Sequence, residues 1–438
     1  MSRKKLGFWT SSSLVVGNMI GSGVFLLPAA LAAFGSISLL GWVISAVGAA
    51  TLAYVFIELS KMLPGKSGGP YTYTRDGLGD FAGFLVAWGY WVSVWCTNAA
   101  IAVALVSYLG VFFPILQTNL ILSTAVGLAI IWSIVYLNTR GVSEAGMFQL
   151  VTSILKITPL IAIGIFGLFY IKLENFFPAN ISDLSNFEAI TATATLTFFA
   201  YMGLECATVP SADVENPSRT IPKATYFGLA LTALVYILGT SALMGIIPAE
   251  ELQYSTAPFS DAAAIMWGPW AENLVAAGAV ISTLGALNGW ILIQGQIPAA
   301  IAKDKLFPPI FGKENKNGVP ATGIILSSIL ISVLMAMNYT KGLVEAFGFM
   351  LLLASMTALI AYLFTSASYV VVSIREQGYS KRTAYRLLVA SVAFIFSIWA
   401  IAGSGTEIVY WGFILLMAGL PVYVWMLVKK NREKYDQN

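Results

Sequence analysis

Histidine is absent from this 438-residue sequence, and only two cysteines, Cys96 and Cys206, are present. Without imidazole the chain cannot build a histidine-based catalytic triad, zinc site or haem ligand. Both cysteines lie in apolar stretches, and they resemble neither a disulfide framework nor a metal-binding motif. We therefore expect no cofactor, no metal and no enzymatic centre.

Charged residues are also scarce, at 10% of the chain, whereas 58% is hydrophobic. A soluble globular chain carries roughly 25% charged residues, so a large soluble enzyme is excluded. The net charge of +3 gives no nucleic-acid footprint. Apolar stretches of about 20 residues, long enough to cross a bilayer, follow one another almost end to end. The composition predicts one membrane domain over residues 1–438 and no soluble domain.

Twelve membrane-spanning helices are predicted from these stretches, and the first of them takes the place of a cleavable secretion signal. The spans are residues 11–33, 37–62, 82–113, 119–138, 147–171, 189–209, 223–247, 271–302, 319–338, 342–372, 384–403 and 406–428.

Lysine and arginine are distributed very unevenly between the loops. Nearly all of them precede the first span, lie in the even-numbered loops or follow the last span. Only Lys172 and Lys341 lie in the other loops, and Lys156 lies within a span. Because basic loops stay in the cytoplasm, both termini are predicted to be cytoplasmic.

Two spans contain poor helix formers near their centres. The first contains residues 17–23 (GNMIGSG), and the sixth contains residues 199–205 (FAYMGLE) with a carboxylate in an apolar run. Spans one and six are corresponding members of two five-helix halves, about 11–171 and 189–372, and residues 384–428 supply two more helices. Such paired breaks indicate a transporter's midplane site between inverted repeats. The glycines are equally suited to close helix packing, so that alternative stays open for the first span taken alone.

Several motifs along the chain resemble one family. They are residues 17–28 (GNMIGSGVFLLP), 68–73 (GGPYTY), 203–205 (GLE), 215–217 (ENP), 289–290 (GW), 306–308 (LFP) and 403–405 (GSG). Together they resemble the amino acid–polyamine–organocation transporters, especially the basic amino acid/polyamine antiporter branch. The resemblance implies an all-α membrane protein of about twelve helices with a LeuT-like fold, in which two inverted five-helix repeats precede two C-terminal helices.

The resemblance also implies a set of substrate-binding residues. Backbone and hydroxyl groups of the first span would hold a substrate carboxylate, and side chains of later spans would line the pocket. The set is Met19, Ser22, Gly23, Tyr90, Asn98, Phe199, Met202, Trp290, Ala354 and Tyr362. Phe199 replaces a tryptophan and Ala354 a serine of the arginine/agmatine antiporters, which weakens an expectation of that substrate pair.

Lys156 and Glu205 are charged residues within predicted spans, where a charge is costly and by default functional. Both are candidates for proton coupling or gating. Lys156 could instead be a structural cation at the first break, a position that sodium occupies in other superfamily members. Glu205 could instead make only a structural hydrogen bond.

These observations predict a secondary transporter of amino acids with neutral or cationic side chains, working by alternating access with proton coupling or exchange. The partners expected are a small amino acid or amine, protons and the lipid bilayer of the cell membrane, with the chain a monomer or homodimer. Strict exchange of an amino acid for its amine is the nearest alternative. A non-transporting amino-acid receptor is an alternative from another class.

Overall fold

The computed structural model describes residues 6–21, 25–63, 69–141, 158–206, 208, 214–378 and 380–435. The described chain is almost entirely helical. Its helices are α1 Phe8–Met19, α2 Leu27–Ala32, α3 Ser38–Met62, α4 Pro70–Leu78, α5 Asp80–Leu109, α6 Ile115–Thr118, α7 Leu120–Thr139, α8 Thr158–Tyr170, α9 Asn186–Phe198, α10 Pro217–Ile246, α11 Ala249–Leu252, α12 Pro258–Trp267, α13 Pro269–Lys303, α14 Ala321–Met337, α15 Leu343–Gln377, α16 Lys381–Ala402, α17 Thr406–Met417 and α18 Gly419–Tyr435.

Within the described ranges, eight helices are long and apolar enough to cross a membrane, taking α17 and α18 as one. The helices α8 and α14 are apolar but shorter. A helix satisfies most of its backbone hydrogen bonds within the segment, as a segment in hydrocarbon requires. The predicted all-α membrane fold class is therefore confirmed.

Both predicted helix breaks are present. The first span stops at Met19 and resumes at Leu27. The sixth span stops at Phe198, passes through a short 3-10 turn at Phe199–Tyr201, and becomes extended at Met202. The next long helix, α10, begins only at Pro217. A bilayer tolerates such non-helical backbone where the protein itself buries it.

Two short helices were not predicted from the sequence. Each meets a long helix at one glycine: α4 meets α5 at Gly79 and α12 meets α13 at Gly268. Their φ angles, +88° and +91°, are in the region that favours glycine. The predicted third span, 82–113, therefore becomes α5 with a separate preceding helix.

The helices pack in two groups. α1, α3, α9 and α10 pack on one another, and α5, α7, α13 and α14 form a second group. The long helix α15 packs on α5, α4 and α16 and also touches α3 and α9. α5 is at the centre, since 94% of its apolar window is buried, against 17% for α17 and α18. The breaks in spans one and six thus lie in the first group, facing the buried helix of the second.

Candidate functional site

The two helix breaks touch each other. A Cβ atom on Gly203 would lie 3.2 Å from the Cβ of Asn18, and the φ of Gly203 is +96°. Beside them, the Tyr236 hydroxyl donates to the Met19 carbonyl at 2.8 Å. This carbonyl belongs to the last turn of α1, where the helix leaves acceptors without intrahelical partners. Spans one and six therefore touch where the last turn of α1 meets the non-helical backbone of span six.

Glu205 lies immediately beyond this crossing, with its side chain fully buried. Its two carboxylate oxygens accept hydrogen bonds from two tyrosines, Oε1 from the Tyr90 hydroxyl and Oε2 from the Tyr362 hydroxyl, each at 2.7 Å. Tyr90 is on α5 and Tyr362 is on α15. One carboxylate thus joins the broken sixth span to two helices outside its own group, and three residues predicted separately come together.

Apolar residues predicted for the pocket are buried near the breaks. Met19 is 2% exposed, and Phe199 and Met202 are each 8% exposed. Ala354 is fully buried on α15, two turns before Tyr362. These side chains offer van der Waals surface and an aromatic face to a bound group.

Asn98 and Trp290, also predicted to line the pocket, lie on facing helices. Asn98 is fully buried on α5, and its amide donates to the Gln294 side-chain oxygen at 2.7 Å. Gln294 is one turn beyond the half-buried Trp290 on α13. Gln294 was not predicted, although a glutamine in the apolar run 291–294 (ILIQ) was a signal that could have revealed it.

A second polar cluster lies at the N-terminal end of α5, around α4. The Tyr71 hydroxyl donates to Asp304 at the end of α13, and Arg75 binds Asp80 at 2.8 Å. Burial first, and then the Asp304 carboxylate, raise the pKa of the Tyr71 hydroxyl well above its usual value. Burial alone would lower the pKa of Arg75, but hydrogen bonds with Asp80 and Tyr71 raise it. This cluster fastens α4 to the second helix group.

Glu58 and Arg386 form a buried ion pair that was not predicted. Arg386 is 3% exposed and donates to Glu58 Oε2 at 2.6 Å, and Lys61 binds Oε1 of the same carboxylate at 2.7 Å. The prediction of orientation counted Arg386 as a loop residue. It lies instead inside α16, packed against α3.

Three predicted site residues, Ser22, Gly23 and Lys156, lie outside the described residues. Among the residues that the structure does describe, no group of three acidic or cysteine side chains could hold a metal ion. The described site therefore consists of the helix crossing, the Glu205 carboxylate with its two tyrosines, and the walls supplied by α5, α13 and α15.

Comparison with known sequences decides the family. The amino acid permease family profile matches residues 6–428, almost the whole chain. The chain belongs to the amino acid permease family. It is 30% identical to the cadaverine/lysine antiporter of Escherichia coli K12, over 100% of this chain and 98% of that protein. It is 33% identical to the arginine/ornithine antiporter of Pseudomonas aeruginosa, over 96% of this chain and 91% of that protein.

A third relative is the putrescine transporter of Haemophilus influenzae, which is 30% identical over 98% of this chain and 99% of that protein. Among solved structures, a manganese transporter of Eremococcus coleocola superposes with a TM-score of 0.63, covering 98% of this chain and 95% of that one. Its 13% identity shows a common fold and nothing about the cargo. This permease is therefore a multi-pass membrane protein with the LeuT-like fold, and the resemblance to the antiporter branch is confirmed.

Proposed function

We propose that this permease is a secondary transporter of the cytoplasmic membrane that moves amino acids with cationic or neutral side chains by alternating access. The named relatives, which handle lysine, arginine, ornithine, cadaverine and putrescine, support a substrate bearing at least one ammonium group. The alternating basic loops support cytoplasmic termini.

An inverted repeat is part of the same proposal, with halves of about 11–171 and 189–372 followed by helices within 384–428. The matched junctions at Gly79 and Gly268 support it. In each half a short helix of 9 or 10 residues begins with proline, ends at a glycine of positive φ, and leads into a helix of 30 or more residues. Two unrelated segments have no reason to share that arrangement.

The observation that carries the proposal is the Glu205 carboxylate held between Tyr90 and Tyr362. It joins the broken sixth span to α5 and α15, so movement of one helix group against the other must break or reshape these two hydrogen bonds. Both donors are neutral hydroxyls, and the group can therefore change its charge without leaving a buried cation unpaired. We assign Glu205 the role of a gate that also loads a proton.

The substrate head group belongs at the crossing of spans one and six. The carboxylate would bind N–H groups of the first break, at Met19, Ser22 and Gly23, since a half-helix N-terminus favours an anion. Phe199 and Met202 would cover the bound substrate. Lys156 either carries a proton or is a fixed cation at the same break.

Flux into proteoliposomes tests the proposal. Purified protein would be given radiolabelled lysine, arginine, ornithine, leucine, cadaverine and putrescine, with empty or substrate-loaded vesicles and with or without an inward proton gradient. We expect uptake of at least one cationic amino acid. Failure of every panel member in vesicles that contain folded protein would refute transport of amino acids and favour a receptor.

The Glu205→Gln variant tests the gate. Glutamine retains the shape of the side chain and hydrogen bonds to both tyrosines, but it cannot change charge. We expect the variant to fold, to bind substrate, and to lose the pH dependence of transport. An unchanged pH profile would reduce Glu205 to a structural hydrogen-bond acceptor.

Strict exchange of an amino acid for its amine is the second candidate, and the cadaverine/lysine relative favours it. Uptake that occurs only into loaded vesicles and ignores the proton gradient would select it. Uptake into empty vesicles that collapses with the gradient would select proton-coupled transport.

A further inference from the structure

A chain of buried hydrogen bonds joins α5, α13 and α14 beside the proposed site. The Ser328 hydroxyl donates to the Ile324 carbonyl at 2.8 Å. The Gln294 amide nitrogen donates to that carbonyl at 3.2 Å and to the Ser328 oxygen at 2.8 Å. The Gln294 oxygen accepts from the Asn98 amide nitrogen at 2.7 Å. All three side chains are fully buried.

These hydrogen bonds determine whether the oxygen or the nitrogen of each side-chain amide faces its neighbour. Since the Ser328 hydrogen is used on Ile324, its oxygen must accept, and Gln294 must present its nitrogen there. The oxygen of Gln294 then faces α5, so Asn98 must present its nitrogen to Gln294. Turning either amide over would set two donors or two acceptors against each other. The Asn98 carbonyl oxygen is consequently directed away from Gln294.

That oxygen, Oδ1 of Asn98, has no hydrogen-bond partner among the described residues and is itself buried. A buried carbonyl oxygen without a donor is unfavourable and needs one. Asn98 lies two turns beyond Tyr90 on α5, and Gln294 lies one turn beyond Trp290 on α13. Asn98 and Gln294 thus lie on the same two helices as Tyr90 and Trp290, which are predicted to line the pocket.

We propose that Gln294 is a positioning residue for substrate selection: it locks the Asn98 amide so that its carbonyl oxygen, and not its N–H group, faces the substrate. The ligand that fits is a side chain ending in an ammonium group, which only donates hydrogen bonds. This inference rests on the proposed transport function and adds to it a device for preferring cationic over neutral side chains.

The test compares lysine with norleucine, which has the same head group and carbon chain but lacks the terminal ammonium. Steady-state uptake into loaded proteoliposomes gives kcat/KM for each, and their ratio is the readout. In Gln294→Leu the Asn98 amide loses its acceptor and is free to turn its N–H group toward the substrate. We expect the lysine-to-norleucine ratio to fall about tenfold or more, the size of one hydrogen bond to a charged group.

The matched control is a second amide pair on α13. Asn138 of α7 donates to Asn288 at 2.8 Å, in the same manner as Asn98 donates to Gln294. Asn138→Leu removes an interhelical amide bond of the same kind, so it reports general loosening of α13. We expect it to leave the ratio unchanged. An equal fall in Asn138→Leu and Gln294→Leu would overturn the positioning role.

Variants that keep the fold guard against a trivial failure. If Gln294→Leu does not elute as a folded protein in detergent, Gln294→Met replaces it, because methionine has nearly the same length and shape. Ser328→Ala removes one of the two acceptors of the Gln294 nitrogen, and a smaller fall in the ratio is expected.

The outcomes separate the inference from the function on which it rests. A wild-type protein that prefers lysine, with an unchanged ratio in the Gln294 variants, would overturn this inference alone. A wild-type protein that transports neither lysine nor any other amino acid or amine would overturn the proposed function together with it.

Discussion

Glu205 and Glu58 are both buried carboxylates between helices, but their partners differ in charge. Glu58 binds Arg386 at 2.6 Å and Lys61 at 2.7 Å. The side chains that bind Glu205 among the described residues are the neutral hydroxyls of Tyr90 and Tyr362. A carboxylate beside two cations is held ionised, since its neutral form would leave buried positive charge without compensation. A carboxylate held by hydroxyls is free to change charge.

The difference assigns different work to the two sites. The Glu58 pair fixes α16 to α3. The Glu205 site joins helices of different groups through bonds that a proton or a moving helix can alter. On the proposed function, the Glu58 pair is a fixed link between two helices, and the Glu205 site is the one that changes during transport. Four substitutions test this difference.

The largest effect is expected for Arg386→Met, which removes the buried partner of the Glu58 carboxylate and leaves the half-exposed Lys61. The cost should be about 3–5 kcal/mol of stability, as for other broken buried ion pairs. Loss of folded protein on heating in detergent, followed by size-exclusion chromatography, measures it. The double variant Glu58→Leu/Arg386→Met should recover much of the loss. Lys61→Met, at a half-exposed partner, should cost less than about 1 kcal/mol. If Arg386→Met is as stable as the wild-type protein, Glu58 does not depend on a buried cation and does not differ from Glu205 in this respect.

Tyr362→Phe should have the next largest effect. It removes one of the two hydroxyls from Glu205, and a hydrogen bond to a charged group contributes about 1.5–3 kcal/mol. The same heating assay measures stability, and the pH profile of transport reports the gate. Tyr201→Phe is the control, because the partners of that hydroxyl, the Trp42 carbonyl at 3.4 Å and the Ser45 hydroxyl, are both neutral. Equal effects for the two variants would mean that the Glu205 carboxylate has no special dependence on its donors.

Gly203→Ala should shift the side chain of Glu205, which is two residues further along the chain. An alanine at φ +96° is strained by about 1–3 kcal/mol, and its Cβ would press on Asn18 at 3.2 Å. The loss of transport rate should be larger than the loss of folding free energy alone would cause. Gly405→Ala separates the two causes, since Gly405 has a similar φ of +87° with no atom within 4 Å of the added carbon. If both variants transport equally well, the close crossing of spans one and six is not required.

Asp261 offers the smallest effect and extends the comparison to a carboxylate outside the membrane-spanning helices. It accepts a hydrogen bond from Ser255, and burial raises its pKa while that bond opposes the rise. Because the folded pKa is above the unfolded one, Asp261 destabilises the protein as pH rises through that window. Asp261→Asn should therefore stabilise slightly at pH 7 and not at all below the unfolded pKa. Melting curves across pH 3–8 test the sign.

The positions of the helix breaks were predictable because glycine and an intramembrane carboxylate are local signals. Residues 17–23 and 199–205 themselves contain these glycines and this carboxylate. The family resemblance added Tyr90 and Tyr362, and the structure brought both to Glu205. The short helices α4 and α12 escaped prediction because they are too short to give a membrane-span pattern.

Pairings across the chain were not predictable for a different reason. Gln294 meets Asn98 across 196 positions, and Arg386 meets Glu58 across 328. Both pairings depend on how whole helices pack, which hydropathy does not encode. Arg386 was counted toward the basic charge of its loop, whereas its side chain is buried against Glu58 of α3. A count of loop charges predicts on which side of the membrane a residue lies, but it says nothing about what the side chain contacts.

The N-terminal segment pairs with the chain that follows span six. Leu6 and Val214 form a parallel bridge, and the Glu215 N–H donates to the Leu6 carbonyl at 2.9 Å. The segment before α1 is thus paired with the segment that follows the broken sixth span. A spectroscopic label at residue 8 would consequently report any displacement of either span, and a bulky fusion attached before residue 6 would hinder both.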